Sequence, residues 1–261
     1  MPLTLYAGAI GLDRRLRLVA GSVVCGILLW HVLSTWLIVS IILPPPLVVA
    51  AAFAENMASG IIPGAFWITF LRVLGGFALG SAVGVVAGLA MGSIPLVRRL
   101  LEPYVNFFRF ITPVAWASPA VIWFGFGSLP IVFLIFYTTV SIVLLNVLAG
   151  VLRIHRDRMR MAQVFGAGGW SLFLHIVIPS SVSYALTGMR IALGNSFASG
   201  ISAEILIGNS GLGYLIYNAR LSFAADLMFG CIALLGVTGY FTDRLFRLMQ
   251  QRVFSRYAVG R

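Results

Sequence analysis

The 261-residue chain contains no lysine, and charged residues of any kind are scarce. Only 10% of its residues are charged, against about a quarter in a typical soluble domain, so the chain has too little polar surface to face water on all sides. Hydrophobic residues make up 60% of the chain and its mean hydropathy is +1.01. A P-loop needs a lysine on the β- and γ-phosphates, so the missing lysine excludes a P-loop ATPase in this chain.

Cysteine and histidine are also rare. Cys25 and Cys231 lie far apart in apolar runs, which predicts buried reduced thiols and not a disulfide. The three histidines have no ligand spacing, so no metal site is expected, and no carboxylate pair, histidine cluster or nucleophile arrangement predicts a catalytic residue. We therefore expect neither enzymatic activity nor a cofactor in this chain.

The few charges leave three long runs of sequence without any charged residue. No Asp, Glu, Lys or Arg occurs in 18–54, 73–97 or 110–152. A spanning helix needs about 20 apolar residues, and the runs lack the alternation of barrel strands, so they predict membrane-spanning helices. The first run has 37 residues, far beyond a signal peptide's apolar core, which favours an uncleaved first membrane helix.

These runs predict an all-α polytopic membrane protein with one transmembrane domain over 1–261. Six spans are expected, at roughly 16–42, 64–93, 103–125, 129–151, 182–207 and 227–247. The third is expected to be interrupted by Pro113 and Pro119. Residues 47–63 are predicted to be a segment outside the membrane.

The arginines predict the orientation. With the N-terminus in the cytoplasm, 14 of the 18 arginines fall in segments on the inner side: Arg14, Arg15, Arg17, Arg98, Arg99, Arg153, Arg156, Arg158, Arg160, Arg244, Arg247, Arg252, Arg256 and Arg261. The positive-inside rule then places both termini in the cytoplasm. The net charge of +11 thus reports topology, and nucleic acid is not expected as a partner.

The second span carries a ridge of glycines four residues apart: Gly76, Gly80, Gly84, Gly88 and Gly92. Small residues at this spacing let another helix backbone approach closely, so the ridge predicts helix packing inside the protein.

Residues 153–180, RIHRDRMRMAQVFGAGGWSLFLHIVIPS, form the longest polar interruption. The pattern predicts a first short helix capped by Asp157, with Met161, Val164 and Phe165 on one apolar stripe. The sequence Gly166-Ala167-Gly168-Gly169 then breaks it, and a second helix is expected from Trp170 to Ile178, ending at Pro179. Such a segment could project from the membrane as a docking element or lie flat on the lipid headgroups.

This segment resembles the EAA loop of bacterial ABC importer permeases. The pattern of that loop is Glu-Ala-Ala, three residues, Gly, and then about nine residues to an end like Ile-x-x-Pro. The matching residues of this chain are Ala162, Gly166, Ala167, Ile176 and Pro179. The resemblance extends over most of the chain. Strings similar to the nitrate/sulfonate/taurine-type permeases are LRVLGGFALGSAVGVVAGLAMG (71–92), PVAWASPAVIWFGFG (113–127), TGMRIALG (187–194), AEILIG (203–208), GLGYLIYNAR (211–220) and DRLFRLMQQR (243–252).

The resemblance implies the type I ABC importer permease (MetI-like) fold, in a multi-pass protein of the bacterial inner membrane. It implies four kinds of partner: a cytoplasmic ABC ATPase dimer that holds ATP and Mg, a second permease copy, a periplasmic or lipid-anchored solute-binding protein, and membrane lipid. Residues expected to contact the ATPase are Arg160, Met161, Ala162, Val164, Phe165, Gly166, Ala167 and Pro179. Gly166 would be the bend that seats the coupling helix or an ordinary helix C-cap.

The sequence departs from the family at the start of this motif, where Arg160 and Met161 replace the usual Glu and Ala. Because an unpaired charge at a docked surface is costly, we expect an acidic residue of the ATPase opposite Arg160.

Charged residues inside spans are candidates for the solute path, because they are costly in hydrocarbon and should face the protein interior. They are Arg72, Arg109, Arg190 and Glu204. Inward arginines would suit a small anion, organic or inorganic; structural pairing or snorkelling is the alternative.

Two other function classes remain to be weighed. A stand-alone secondary transporter would usually show internal repeats, and no convincing repeat is present. A membrane-embedded enzyme would need the catalytic groups that the chain lacks. The identity of the solute does not follow from the sequence.

Overall fold

The computed structural model of the chain describes residues 12–37 and 43–253. Within them the secondary structure is helical throughout, and no strand occurs. The α-helices in chain order are α1 Leu12–Val32, α2 Pro46–Ala58, α3 Ile61–Ser93, α4 Pro95–Phe108, α5 Ala117–Phe124, α6 Ser128–Leu152, α7 Arg156–Val164, α8 Gly169–Leu172, α9 Ile178–Ile207, α10 Leu212–Leu221 and α11 Ala225–Val253.

Four of the predicted spans appear as helices long and apolar enough to cross a membrane. They are α3, α6, α11 and a continuous helical stretch, Gly169–Ile207, that includes α9. Helices α4 and α5 would form a fifth span if they are counted together, although they are bent by 92°. The first predicted span overlaps α1 and the π-helical turn Leu33–Leu37 that follows it. Their apolar part, Gly21–Trp36, is shorter than the helices above, and residues 38–42 of the predicted span lie outside the described residues.

The break in the third predicted span differs in detail from the expectation. It falls between Phe108 and Pro113, where α4 ends and a short 3₁₀ turn begins. Pro119 lies in the first turn of α5. Proline is tolerated there, because a backbone N–H at that position would have no intrahelical partner.

Most of the segment predicted to lie outside the membrane forms α2. Phe53 of α2 packs against the buried residues Ile62, Leu212 and Cys231, which belong to α3, α10 and α11. Cys231 is therefore the buried thiol that the sequence predicts. Cys25 is exposed, which corrects the prediction for that residue, because residues 21–29 of α1 all lie on the surface of the single chain.

Helices α3, α6 and α9 form the centre of the bundle, and their contact is closest along the glycine ridge of α3. A methyl group added to Gly76, Gly80 or Gly84 would lie 2.6 to 2.9 Å from the side chains of Ile135, Thr139 and Val143. The ridge continues with Gly88 against Val147 and Gly92 against Val151. The contact residues of α6 are also four apart, so the two helices run along each other with their backbones nearly touching.

Candidate functional site

Arg72 and Glu204 form an ion pair inside the bundle. The Nη1 atom of Arg72 lies 2.8 Å from Oε1 of Glu204, and both side chains are at most 5% exposed. Arg72 also donates to the carbonyl oxygen and hydroxyl of Ser210, at 2.7 and 2.8 Å, and to the hydroxyl of Ser128, at 3.0 Å. Every nitrogen of the guanidinium group therefore has a partner.

The carboxylate of Glu204 is equally well satisfied. Its Oε2 atom accepts hydrogen bonds from the hydroxyl of Thr69, at 2.8 Å, and from the backbone N–H of Gly213, at 2.9 Å. The hydroxyl of Thr69 accepts in turn from the backbone N–H of Leu212 at 2.8 Å. The network ties α3, the start of α6, the end of α9 and the start of α10 to one another.

Glycines between α9 and α10 make room for this network. Gly211 has φ +102, and a methyl group there would lie 2.2 Å from Oε1 of Glu204. At Gly213 a methyl group would lie 2.6 Å from Cβ of the same glutamate. The glycine-rich string after α9 is thus shaped around one buried carboxylate.

Arg109 and Arg190, the other two charged residues predicted for the interior, are exposed in the single chain. Arg109 follows the last residue of α4, and its guanidinium group lies 4.7 Å from the centre of the Phe110 ring. Arg190 bonds Asp243 of α11 at 2.7 Å, with side chains 43% and 31% exposed. The interior prediction therefore holds for Arg72 and Glu204 only, because α4 and the outer face of α9 have no covering helix within the described chain.

Asp243 also binds Arg247, one turn further along α11, so two arginines share one carboxylate. Asp243 was not among the predicted site residues, although an ionisable residue inside a predicted span is itself a signal. The three side chains carry a net positive charge of one on the surface between α9 and α11.

Arg190 belongs to an exposed stripe along α9 that is unusually polar and small for a membrane helix. The exposed positions of the stripe are Thr187, Arg190, Ile191, Gly194, Asn195 and Ala198. The side-chain amide of Asn195 donates to the carbonyl oxygen of Ile191 at 2.9 Å, which leaves its own oxygen available as an acceptor.

Residues 153–180 form a short helix, a bend and then a helix that continues into α9. Asp157 lies in the first turn of α7 and is not its cap, since the helix begins at Arg156. After Val164, Gly166 takes φ +85 and the N–H of Ala167 bonds the carbonyl of Ala162 at 2.9 Å. This is the bonding of a Schellman C-cap, so Gly166 ends the helix and turns the chain sharply.

The expected end of the second helix at Pro179 is wrong. A π-helical turn, Phe173–Val177, joins α8 to α9, and Pro179 lies at the start of α9. Pro179 has no backbone N–H to donate to the carbonyl four residues earlier, so a regular α-helix would lose a hydrogen bond there. The wider π turn just before it accommodates this loss, and the helix continues.

The tip of α7 carries large apolar side chains that nothing in the described chain covers. Val164 and Phe165 are 85% and 89% exposed, and Met161 is exposed beside them. Arg160 is also exposed on this helix, Ala162 is half-buried, and Trp170 is exposed after the bend. Among the described residues, no group of three His, Cys, Asp or Glu side chains lies close enough together to hold a metal ion.

Residues 80–255 match the family of binding-protein-dependent transport system inner membrane components. A probable ABC transporter permease protein of Brucella melitensis is 32% identical over 82% of this chain and 87% of its own length. The taurine transport system permease protein TauC of Escherichia coli is 29% identical over 93% of this chain and 90% of its own length. The bicarbonate transport system permease protein CmpB of Synechocystis is 31% identical over 74% of this chain and 71% of its own length.

Solved structures show the same fold. An inward-facing chain of the MetNI methionine ABC transporter has TM-score 0.65 and 17% identity, and the match covers 78% of this chain and 99% of that one. A chain of a bacterial alginate ABC transporter, solved with an alginate-bound periplasmic protein, has TM-score 0.60 and 15% identity, covering 95% and 98%. The family match over two thirds of the sequence, the similar permeases and the shared helical fold lead to one conclusion: the chain is a permease of the binding-protein-dependent ABC transporter family.

Proposed function

We propose that the chain forms part of the solute path of an ATP-driven importer and docks through α7 onto a separate ATPase subunit. The observation that carries this is the apolar tip of α7, with Val164 and Phe165 almost fully exposed directly before a left-handed glycine bend. Exposed apolar clusters of this kind mark interaction sites, and helix-in-groove docking uses an apolar helix face. The lysine-free sequence needs a partner to supply a P-loop.

The proposed orientation puts both termini and α7 in the cytoplasm of a bacterial cell, with the protein in the inner membrane. The supporting observation is the predominance of arginine in the segments on that side. The Arg72–Glu204 network then lies near the outer end of the bundle. A solute-binding protein would deliver solute there, and a second permease copy would pack against α4 and enclose the path along the exposed face of α9.

We propose a small anion as the solute, because related permeases are named for taurine and bicarbonate. The exposed stripe of α9 would line the path, since polar side chains at membrane depth face water or protein. Arg190 would attract the anion, because Asp243 is shared with Arg247 and leaves a net positive charge there. Arg72 uses four of its five N–H groups within the protein and would hold the outer end of the path together. Arg109 would lie where the second copy packs.

Docking of α7 is tested by tagging the chain and purifying it with the ATPase expressed beside it. Phe165→Asp should abolish co-purification and ATP-dependent uptake, because a charge would enter the apolar contact. Phe223→Asp is the matched control: it changes an equally exposed phenylalanine, in the loop between α10 and α11. Uptake by the purified chain without any ATPase, or by Phe165→Asp at the wild-type rate, would overturn the proposal.

A further inference from the structure

A basic cavity of about 420 Å³ lies beneath the start of α7, where α6 ends and α9 begins. Its charged lining consists of Arg153, His155, Asp157 and Arg158. Gly150, Ile154, Met161, Ser180 and Tyr184 complete its walls. The cavity is open on one side, so a group attached to a larger molecule could enter it.

The arginines of the cavity are not neutralised by the protein. Within the part of the chain that the structure describes, neither Arg153 nor Arg158 forms an ion pair with a carboxylate. Arg153 instead lies with its guanidinium carbon 5.8 Å from the centre of the Tyr184 ring, and its Nη1 atom is 3.5 Å from the hydroxyl of that tyrosine. These contacts orient the group and leave most of its donors free for a ligand.

The charge of the lining suits a singly charged anion. Two arginines against Asp157 leave one net positive charge with His155 neutral. The first turn of α7, which begins at Arg156, adds the partial positive charge of a helix N-terminus. Arginine is also the side chain whose planar fork best matches phosphate oxygens.

The position of the cavity at the edge of the membrane favours a lipid headgroup as the source of this anion. Helix α6 crosses the membrane and ends at Leu152, so Arg153 is the first residue beyond the apolar span. Tyr184 lies less than two turns beyond the start of α9 at Ile178. A cavity with arginine just beyond the apolar span and tyrosine on a membrane helix matches the polarity change from headgroup to acyl chain.

We infer that this cavity binds the phosphate headgroup of an anionic phospholipid, with Arg153 and Arg158 on the phosphate and Tyr184 beside the glycerol. The lipid then occupies the space between α7 and the membrane helices. Met161 lines the cavity and also belongs to the apolar stripe of α7, so the bound headgroup contacts the helix proposed to dock onto the ATPase. Lipid composition would thereby influence the position of α7.

The test measures lipid retained by the full chain after purification from vesicles of phosphatidylcholine with 30% phosphatidylglycerol, using native mass spectrometry. The wild-type chain should retain phosphatidylglycerol in preference to phosphatidylcholine. The Arg153→Gln/Arg158→Gln variant should bind phosphatidylglycerol about thirtyfold more weakly, because each arginine near the membrane surface contributes about a fivefold gain for an anionic lipid. Arg220→Gln, an exposed arginine in α10, is the matched control and should retain the wild-type preference.

Three results would overturn the inference: retention of the two lipids by the wild-type chain in the proportions of the vesicle, an unchanged preference in the double variant, or an equal loss in the control. Inorganic phosphate that displaces the lipid at equal concentration would identify a site for free phosphate instead. Loss of the bound lipid when the ATPase is added would assign the surface to that protein. The measurement needs neither solute nor ATPase, so its failure would leave the proposed function untouched.

Discussion

The buried pair of Arg72 and Glu204 allows a quantitative test of what holds the outer end of the bundle together. Glu204→Gln keeps the size of the side chain and an oxygen that can accept from Thr69 and Gly213, but it removes the countercharge of a guanidinium group only 5% exposed. Removing one partner of a buried ion pair typically costs about 3–5 kcal/mol of unfolding free energy. We expect a loss of that size here.

A double-mutant cycle separates the charge effect from the loss of packing. Arg72→Met should cost a similar amount, because it leaves the carboxylate of Glu204 without its cation. Arg72→Met/Glu204→Gln contains no buried unpaired charge, so its cost should fall short of the sum of the single variants by at least about 2 kcal/mol. The measurement is the unfolding midpoint in detergent micelles titrated with a denaturing detergent.

Arg190→Gln is the matched control for this cycle, since it breaks an ion pair whose side chains are 43% and 31% exposed. Exposed pairs contribute only about 0–1 kcal/mol. Additive effects in the Arg72 and Glu204 cycle would refute the reasoning, as would a control as unstable as Glu204→Gln.

Three further outcomes follow from the structure. Gly76→Ala should lower the unfolding free energy by about 1–3 kcal/mol, because its methyl group would lie 2.6 Å from Ile135. Gly75→Ala is the control, since its methyl group would have nothing within 4 Å. Equal unfolding midpoints for the two variants would contradict the close contact of α3 and α6. Gly166→Val should uncouple transport from the partner's ATP hydrolysis, because a β-branched residue is strained at φ +85. Gly166→Asn should keep transport, because asparagine tolerates the left-handed conformation. Identical uptake by the two variants would show that the bend has no role in coupling. Arg190→Gln should raise the solute concentration for half-maximal uptake without reducing co-purification with the ATPase, and an unchanged value would remove Arg190 from the solute path.

Local patterns predicted a large part of the fold. Long and mostly apolar stretches predicted α3, α6, α9 and α11, because a helix in hydrocarbon must be long and apolar whatever it packs against. The glycine at 166 predicted the bend after α7, since a left-handed residue is a property of the backbone at one position. Proline was a weaker guide to where a helix ends. The helix continues past Pro179 through a preceding π turn, and whether such a turn forms depends on the neighbouring carbonyls and not on proline alone.

The sequence by itself determined that this chain lies in a membrane, that one face of its second predicted span is reserved for close packing, and that an apolar stripe precedes a tight bend at 166. Composition and short-range spacing suffice for these features, because they depend on residues within a few turns of each other. Only the tertiary structure decided which charges meet. Arg72 and Glu204 are 132 residues apart, and Arg190 and Asp243 are 53 apart. The spacing along one helix gives the direction of a side chain but not its partner, which depends on how far the glycines of α3 let the neighbouring helices approach.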